Sequence, residues 1–142
     1  MAIKIHNNVA IAQCNAFVDA IDAGAGIAKL NVYGGTQPAN PGTAAGSSPL
    51  VSFDLPNPAF GAASVVGDGA VAEAEAITEV NAAATGTATW ARILDRDGNA
   101  VADCTVTNTS GSGDVKLSNT DVVAGVESSV ISWTFKQPKG WA

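Results

Sequence analysis

Few side chains in this sequence are equipped for chemistry, and they are scattered. There is one histidine, His6, and there are two cysteines, Cys14 and Cys104. Ser–His–Asp catalysis would have to be built on His6, which has no flanking pattern to support it; an exposed histidine in an N-terminal arm is expected instead. Cys14 and Cys104 lack the C-x-x-C spacing of a metal site and read as buried free thiols. Glu73, Glu75 and Glu79 are candidates for the paired carboxylates of a glycosidase. Alternating along one strand face, however, they read as a solvated surface. Gly67-Asp68-Gly69 lacks the glycine spacing and the lysine of a phosphate loop. The segment from Asp95 to Asp103 places oxygens at positions one, three, five and nine of a calcium loop. Its glycine, Gly98, stands fourth instead of sixth, and Val106 replaces the bidentate glutamate. Trp90 and Trp133 would make a sugar-stacking platform if exposed, but core packing is the expected use of both indoles. No catalytic set, no metal site and no cofactor site is expected.

The element that organises these residues is a hairpin. Gly86–Leu94 and Ala100–Thr107 read as two strands around a turn at Asp95–Asn99, where Asp97-Gly98 is strong turn chemistry. Alternation puts Ala88, Trp90 and Arg92 on one face and Thr89, Ala91 and Ile93 on the other. In the second arm, Val101, Asp103 and Thr105 oppose Ala102, Cys104 and Val106. A hairpin cannot stand alone; it needs a sheet and a second layer.

The remaining elements follow in order. Met1–His6 reads as an arm. Asn7 or Asn8 is suited to cap a helix over about Val9–Ala23, with Cys14, Phe17, Val18 and Ile21 as its apolar stripe. Gly24 and Gly26 stop it. Ile27–Tyr33 and Leu50–Leu55 are strands, and the Pro-, Gly- and Ser-rich Thr36–Pro49 between them is a surface loop. Phe60, Val65 and Val66 are expected to pack a loop on the core. Ala70–Val80 has helical propensity but strand-like alternation, and strand is preferred because of the glycine turn before it. Asp114–Ser118 is a short strand. Val126–Gln137 is the longest alternating run, with Glu127, Ser129, Ile131, Trp133 and Phe135 sharing a face. Trp90 and Phe135 are expected in the core of one sandwich. The fold class is mainly β: an antiparallel β-sandwich or jelly roll of roughly seven to eight strands with one N-terminal helix.

The chain's 142 residues suit a single domain, residues 1–142. Seven Lys and Arg stand against 13 acids, a formal charge of −6. That balance argues against a nucleic-acid face and against an anionic membrane surface. The first apolar run, Val9–Ala12, is too short for a signal-peptide core, and no segment approaches a membrane span. The protein is expected to be made and kept in the cytosol unless released by lysis. Only 14% of residues are charged, which fits either a compact soluble β protein or a subunit that hides much of its surface in an assembly.

Several segments, in order, resemble one family. Asn15–Ile21 with Gly24-x-Gly26 resembles a helix that opens many small proteins encoded beside phage capsid genes. Leu30–Tyr33 with Gly35, Pro38 and Ala39 is similar to their first core strand and loop. Gly86–Trp90 with Arg92, Asp95, Asp97 and Gly98 resembles their most recognisable segment; Val123-x-Gly125-Val126 and Ser132-Trp133 resemble their final strand. The resemblance spans nearly the whole chain in order, with Gln37–Pro49 and Lys136–Ala142 less typical of the family. It implies a bacteriophage cement (decoration) protein of jelly-roll type, a structural viral protein on the outer surface of the capsid in the virion. There it would bridge subunits of the major capsid protein, often as a homo-dimer or homo-trimer, with no direct contact to nucleic acid or membrane. A tail or neck virion subunit, a carbohydrate-binding module on the virion surface and, last, a hydrolase are the alternatives. On the turn chemistry alone, Gly98→Val is expected to destabilise the fold by about 1–3 kcal/mol, read as a shift in the urea midpoint, because a β-branched residue resists positive φ.

Overall fold

The structure, a computed structural model, describes residues 3–142, so Met1 and Ala2 of the expected arm lie outside it. Helix α1 (Asn7–Ile21) comes first. Its cap is His6, whose Nδ1 accepts the Asn8 N–H at 3.2 Å, not Asn7 or Asn8 as expected. Histidine is not among the usual capping residues, so the sequence pattern puts the helix start two residues late. The stripe of Cys14, Val18 and Ile21 is buried as the spacing implied, and Ala10 joins it. The helix stops before Gly24, which has φ +107° and lies so close to the hairpin turn that a Cβ would sit 2.5 Å from the Asp97 side chain.

Twelve strands follow among the described residues: β1 (Lys29–Tyr33), β2 (Val51–Asp54), β3 (Ser64–Val66), β4 (Gly69–Glu73), β5 (Val80–Asn81), β6 (Gly86–Thr87), β7 (Trp90–Leu94), β8 (Ala100–Asn108), β9 (Val115–Leu117), β10 (Asp121–Val122), β11 (Glu127–Ser128) and β12 (Val130–Pro138). Eight form one mixed sheet in the order β2-β1-β7-β8-β9-β12-β4-β3; β10–β6 and β11–β5 are small two-stranded pairs. The fold is therefore mainly β with one N-terminal helix, in keeping with the expected sandwich.

All pairings are antiparallel except β8–β9, where Val106, Thr107 and Asn108 face Val115, Lys116 and Leu117. Parallel neighbours usually need a crossover of about a dozen residues or more. Here a tight loop suffices because Thr107 Oγ1 accepts the Gly113 N–H and Asp114 accepts the Thr105 N–H, both at 3.0 Å. A Cβ on Gly111 would lie 2.5 Å from that of Thr107, so the loop closes only over glycine.

The hairpin forms as β7 and β8, with Gly98 at φ +87° in its turn. Its first arm is shorter than expected: Gly86 and Thr87 leave to pair with β10. Val101 is an extra residue between the Leu94–Ala100 and Ile93–Ala102 pairs. Two further readings are corrected. Ala70–Val80 is a strand only to Glu73, with β5 resuming at Val80. In β12 the pairing with β9 skips Ile131, and this bulge resets the alternation. Trp133 and Phe135 therefore turn inward while Ile131, expected on their face, is 56% exposed. Phe60 packs edge-on against Trp133 as a core residue, but Val66 is 59% exposed on β3.

The main core gathers Cys14, Val18 and Ile21 from α1 with Leu30, Val32, Phe53, Ala91, Ile93, Leu117 and Trp133. Phe17 stacks on Phe135 at 3.9 Å, and Cys14 Sγ donates to the Phe135 carbonyl, so the helix fits against β12. Phe135 itself is half-buried. Trp90 is fully buried, but not in that core. It stacks on Tyr33 at 4.5 Å, donates its Nε1–H to the Gly34 carbonyl and shares the opposite sheet face with Arg92. There Arg92 makes a bidentate pair with Asp103 at 2.7 and 2.9 Å, its guanidinium 5.5 Å from the Trp90 ring. Both charged side chains are at least nine-tenths buried. Arg92→Ala is expected to cost about 3–5 kcal/mol in urea unfolding, because it strands Asp103 out of water, whereas replacing both by apolar residues of similar volume should cost far less.

Candidate interaction surface

The structure spreads the chemically equipped residues over unrelated places. His6 is exposed at the helix start. Both cysteines are buried and unbridged. Burial raises the Cys14 thiol, and burial together with the charges of Asp114 and Asp103 pushes Cys104 up to about 12. Neither has the thiolate that nucleophilic chemistry needs. Trp90 and Trp133 are 1% and 4% exposed, so neither offers a face to a sugar, and the platform reading falls.

The carboxylates of the calcium-like segment are engaged with three different partners. Asp95 Oδ1 accepts the N–H groups of Asp97 and Asn99 at 2.9 Å each. Asp97 Oδ1 accepts the Ala25 N–H at 3.1 Å, and Asp103 belongs to Arg92. Backbone donors, the Asn99 N–H first, hold the Asp95 carboxyl below its ordinary value. Its folded value being depressed, the turn gains stability above the unfolded carboxyl range near pH 4 and loses it as pH falls through the folded value. Among the described residues, no group of three or more His, Cys, Asp or Glu is arranged to hold a metal, and no helix is long and apolar enough to cross a membrane.

What the surface does carry is an interrupted ladder. β4 pairs with β12 up to Glu73–Thr134, and the Ala74 N–H still donates to the Trp133 carbonyl at 2.9 Å. Pairing resumes only at Val80–Ser128 on β5 and β11. Between these points Glu75–Glu79 lies opposite Ser129–Ser132, five residues against four, so the two runs cannot stay in register. A pocket of about 100 Å³ opens between them, bordered by Ala74, Ala76 and Ile77 on one side and Val130, Ile131 and Ser132 on the other. It shares Ala74 and Glu75 with a shallow groove of about 420 Å³ over β3 and β4, lined by Ser64, Val66, Val71 and Glu73. The two adjoin at Ala74 and Glu75, and Glu73 and Glu75 give their borders an acidic character. Nothing in the sequence flagged the opening beyond the glutamates, because it depends on a register mismatch between distant segments.

Charge divides unevenly around this surface. Eight of the nine aspartates bind the chain's own backbone or side chains: Asp22, Asp54, Asp68, Asp95, Asp97, Asp103, Asp114 and Asp121. The glutamates 73, 75, 79 and 127 are all exposed and make no side-chain hydrogen bond or ion pair within the described residues. The termini, by contrast, are fastened together. Ile5 N–H donates to the Lys139 carbonyl, Trp141 Nε1–H donates to the Ile5 carbonyl at 2.8 Å, and the buried Lys139 ammonium lies between Asn7 Oδ1 and the Trp141 ring.

No family model, curated protein or solved structure matches the chain. Where pairing resumes at Val80–Ser128, Ser128 Oγ is buried without a hydrogen-bond partner among the described residues. Ser128→Ala is therefore expected to raise stability by about 1 kcal/mol, seen as a higher urea midpoint at unchanged slope.

Proposed function

We propose that this chain works by binding alone, as a cement protein on the outside of a bacteriophage head that bridges major capsid subunits and stabilises the shell. The observation that supports a binding role is the disposition of its polar groups. Its thiols are buried and eight of its nine aspartates are engaged by the chain's own backbone or side chains, so the surface is left with unpaired glutamates and exposed apolar side chains. Val123, Val126 and Ile131 stand out from the segment before and within β12, and Ile3 and Trp141 from the joined termini. The resemblance of the hairpin and flanking segments supplies the partner.

Stabilisation needs no reaction. A protein that binds the assembled shell more tightly than free subunits favours the shell by mass action. A standard contact takes roughly 800 Å² from each side. Lying across two subunits, one copy engages both, and the second contact forms at high effective concentration. The Thr36–Pro49 loop belongs to no strand and is the segment most available to follow a partner's shape. Ile5 and the tail, held to each other, present a joined surface.

The test uses heads prepared without this protein, heated with and without it added back. Stoichiometric binding and a higher temperature of DNA release are expected. Equal binding to soluble capsid subunits, or unchanged head stability, would overturn the cement role, and particles that instead fail to attach to cells would point to a tail or receptor role.

A further inference from the structure

We propose that the opening between β4–β5 and β12 is a docking slot for an extended, lysine- or arginine-bearing segment of a partner protein, which enters as an added strand. The inference rests on the binding role above and names the contact through which it is made. Three observations meet at this place.

The first is the backbone. Ala76, Ile77, Thr78 and Glu79 make no backbone hydrogen bond within the described residues, although a paired ladder flanks them on both sides. An extended segment with unpaired N–H and C=O groups is a template for strand addition. The second is the lining. Ile77 is half-buried and Ile131 is 56% exposed across the slot, while Ala74 and Ala76 leave room between them. Side chains alternate along a strand, so every second residue of an incoming segment can pack on this apolar floor while the others face the rim.

The third is charge, which selects the occupant. Glu75 lines both the slot and the groove, Glu73 lines the groove, and Glu79 ends the unpaired stretch; among the described residues none has a cationic partner. A second copy of this chain is a poor fit, since it also carries −6. Five of its seven cations are already committed within the fold: Lys29, Lys136 and Arg92 to aspartates, Arg96 to the Gly26 carbonyl and Lys139 to Asn7. A segment with Lys or Arg at alternate positions would meet the glutamates across the new strand pair and be drawn in by their field.

The experiment titrates isotope-labelled protein with a synthetic heptapeptide alternating Val and Lys, and with its Val/Glu counterpart, while amide exchange is followed. The amides of Ala76, Ile77, Thr78 and Glu79 are expected to exchange rapidly in the protein alone and to become protected with the Val/Lys peptide only. E73Q/E75Q/E79Q, which keeps the side-chain shape, is expected to weaken that binding by about tenfold. Protection of the four amides without peptide overturns the proposal. So does equal binding of both peptides, binding of neither, or an undiminished affinity in the triple variant. A parallel arm adds wild type and triple variant to heads lacking the protein. If both bind equally, the slot is not the contact and the cement role stands. If wild type fails to bind heads, the cement role falls and the peptide titration alone decides the slot.

Discussion

The Arg92–Asp103 pair is the constraint on which the arrangement of the sheet depends. The two residues face each other directly across β7 and β8, out of water, with both carboxylate oxygens bonded to the guanidinium. A slip of one residue would send each side chain to the opposite face and leave two buried charges apart. The cost of that error is larger than the loss of any one apolar contact. The hydrogen bonds Arg92 donates to Asp103 raise the Arg92 pKa further, so the pair stays ionised. Fixing this register also fixes what lies behind it: Ala91 and Ile93, with Cys104 and Val106, face the main core. β1 then aligns on β7, Tyr33 meets Trp90, and the indole closes over the outer side of the pair.

Carboxylate length decides how the acidic residues divide. An aspartate carries its carboxylate one methylene from the backbone, so it reaches nearby N–H groups with little loss of rotamer freedom. Asp95 folds its own turn this way, Asp22 ties the end of α1 to Ala59, and Asp97 ties the hairpin turn to Ala25 in the loop after α1. Fixing a glutamate costs more side-chain entropy for the same bond. The four glutamates consequently stay solvated; Glu75 and Glu79 bound the stretch where the ladder is open, and Glu73 lies on the last paired position before it.

Much of this architecture was legible in the sequence because it rests on local periodicity. The stripe of Cys14, Val18 and Ile21, the alternation of Leu30 and Val32, and the turn at Gly98 each carry their own signal. The rest depends on parity or on partners far along the chain. Trp90 is buried as its neighbours suggested, yet under Tyr33 on the far face, since period two marks alternation without saying which face is the main core. Ile131 moved out because one extra residue in β12 resets the count. The His6 cap, the joining of Ile5 to Lys139 and the short parallel link from β8 to β9 have no local pattern at all. The candidate surface is half visible in the sequence: alternation marks the glutamates as solvated, but the gap beside them depends on the register on both sides.

An unpaired, partly apolar stretch on a sheet normally invites pairing between copies of the same chain. Three glutamates beside this one oppose that outcome. Two copies approaching slot to slot would bring like charges together, and the net charge of −6 adds a longer-range repulsion at low ionic strength. The same charges that deter a second copy lower the cost of admitting a cationic strand, so a single feature supplies both rejection and attraction. Aspartates at these positions would reach back toward the backbone and tend to close the gap themselves. Glutamates hold their charge away from it, which leaves the backbone groups of Ala76–Glu79 open to a partner.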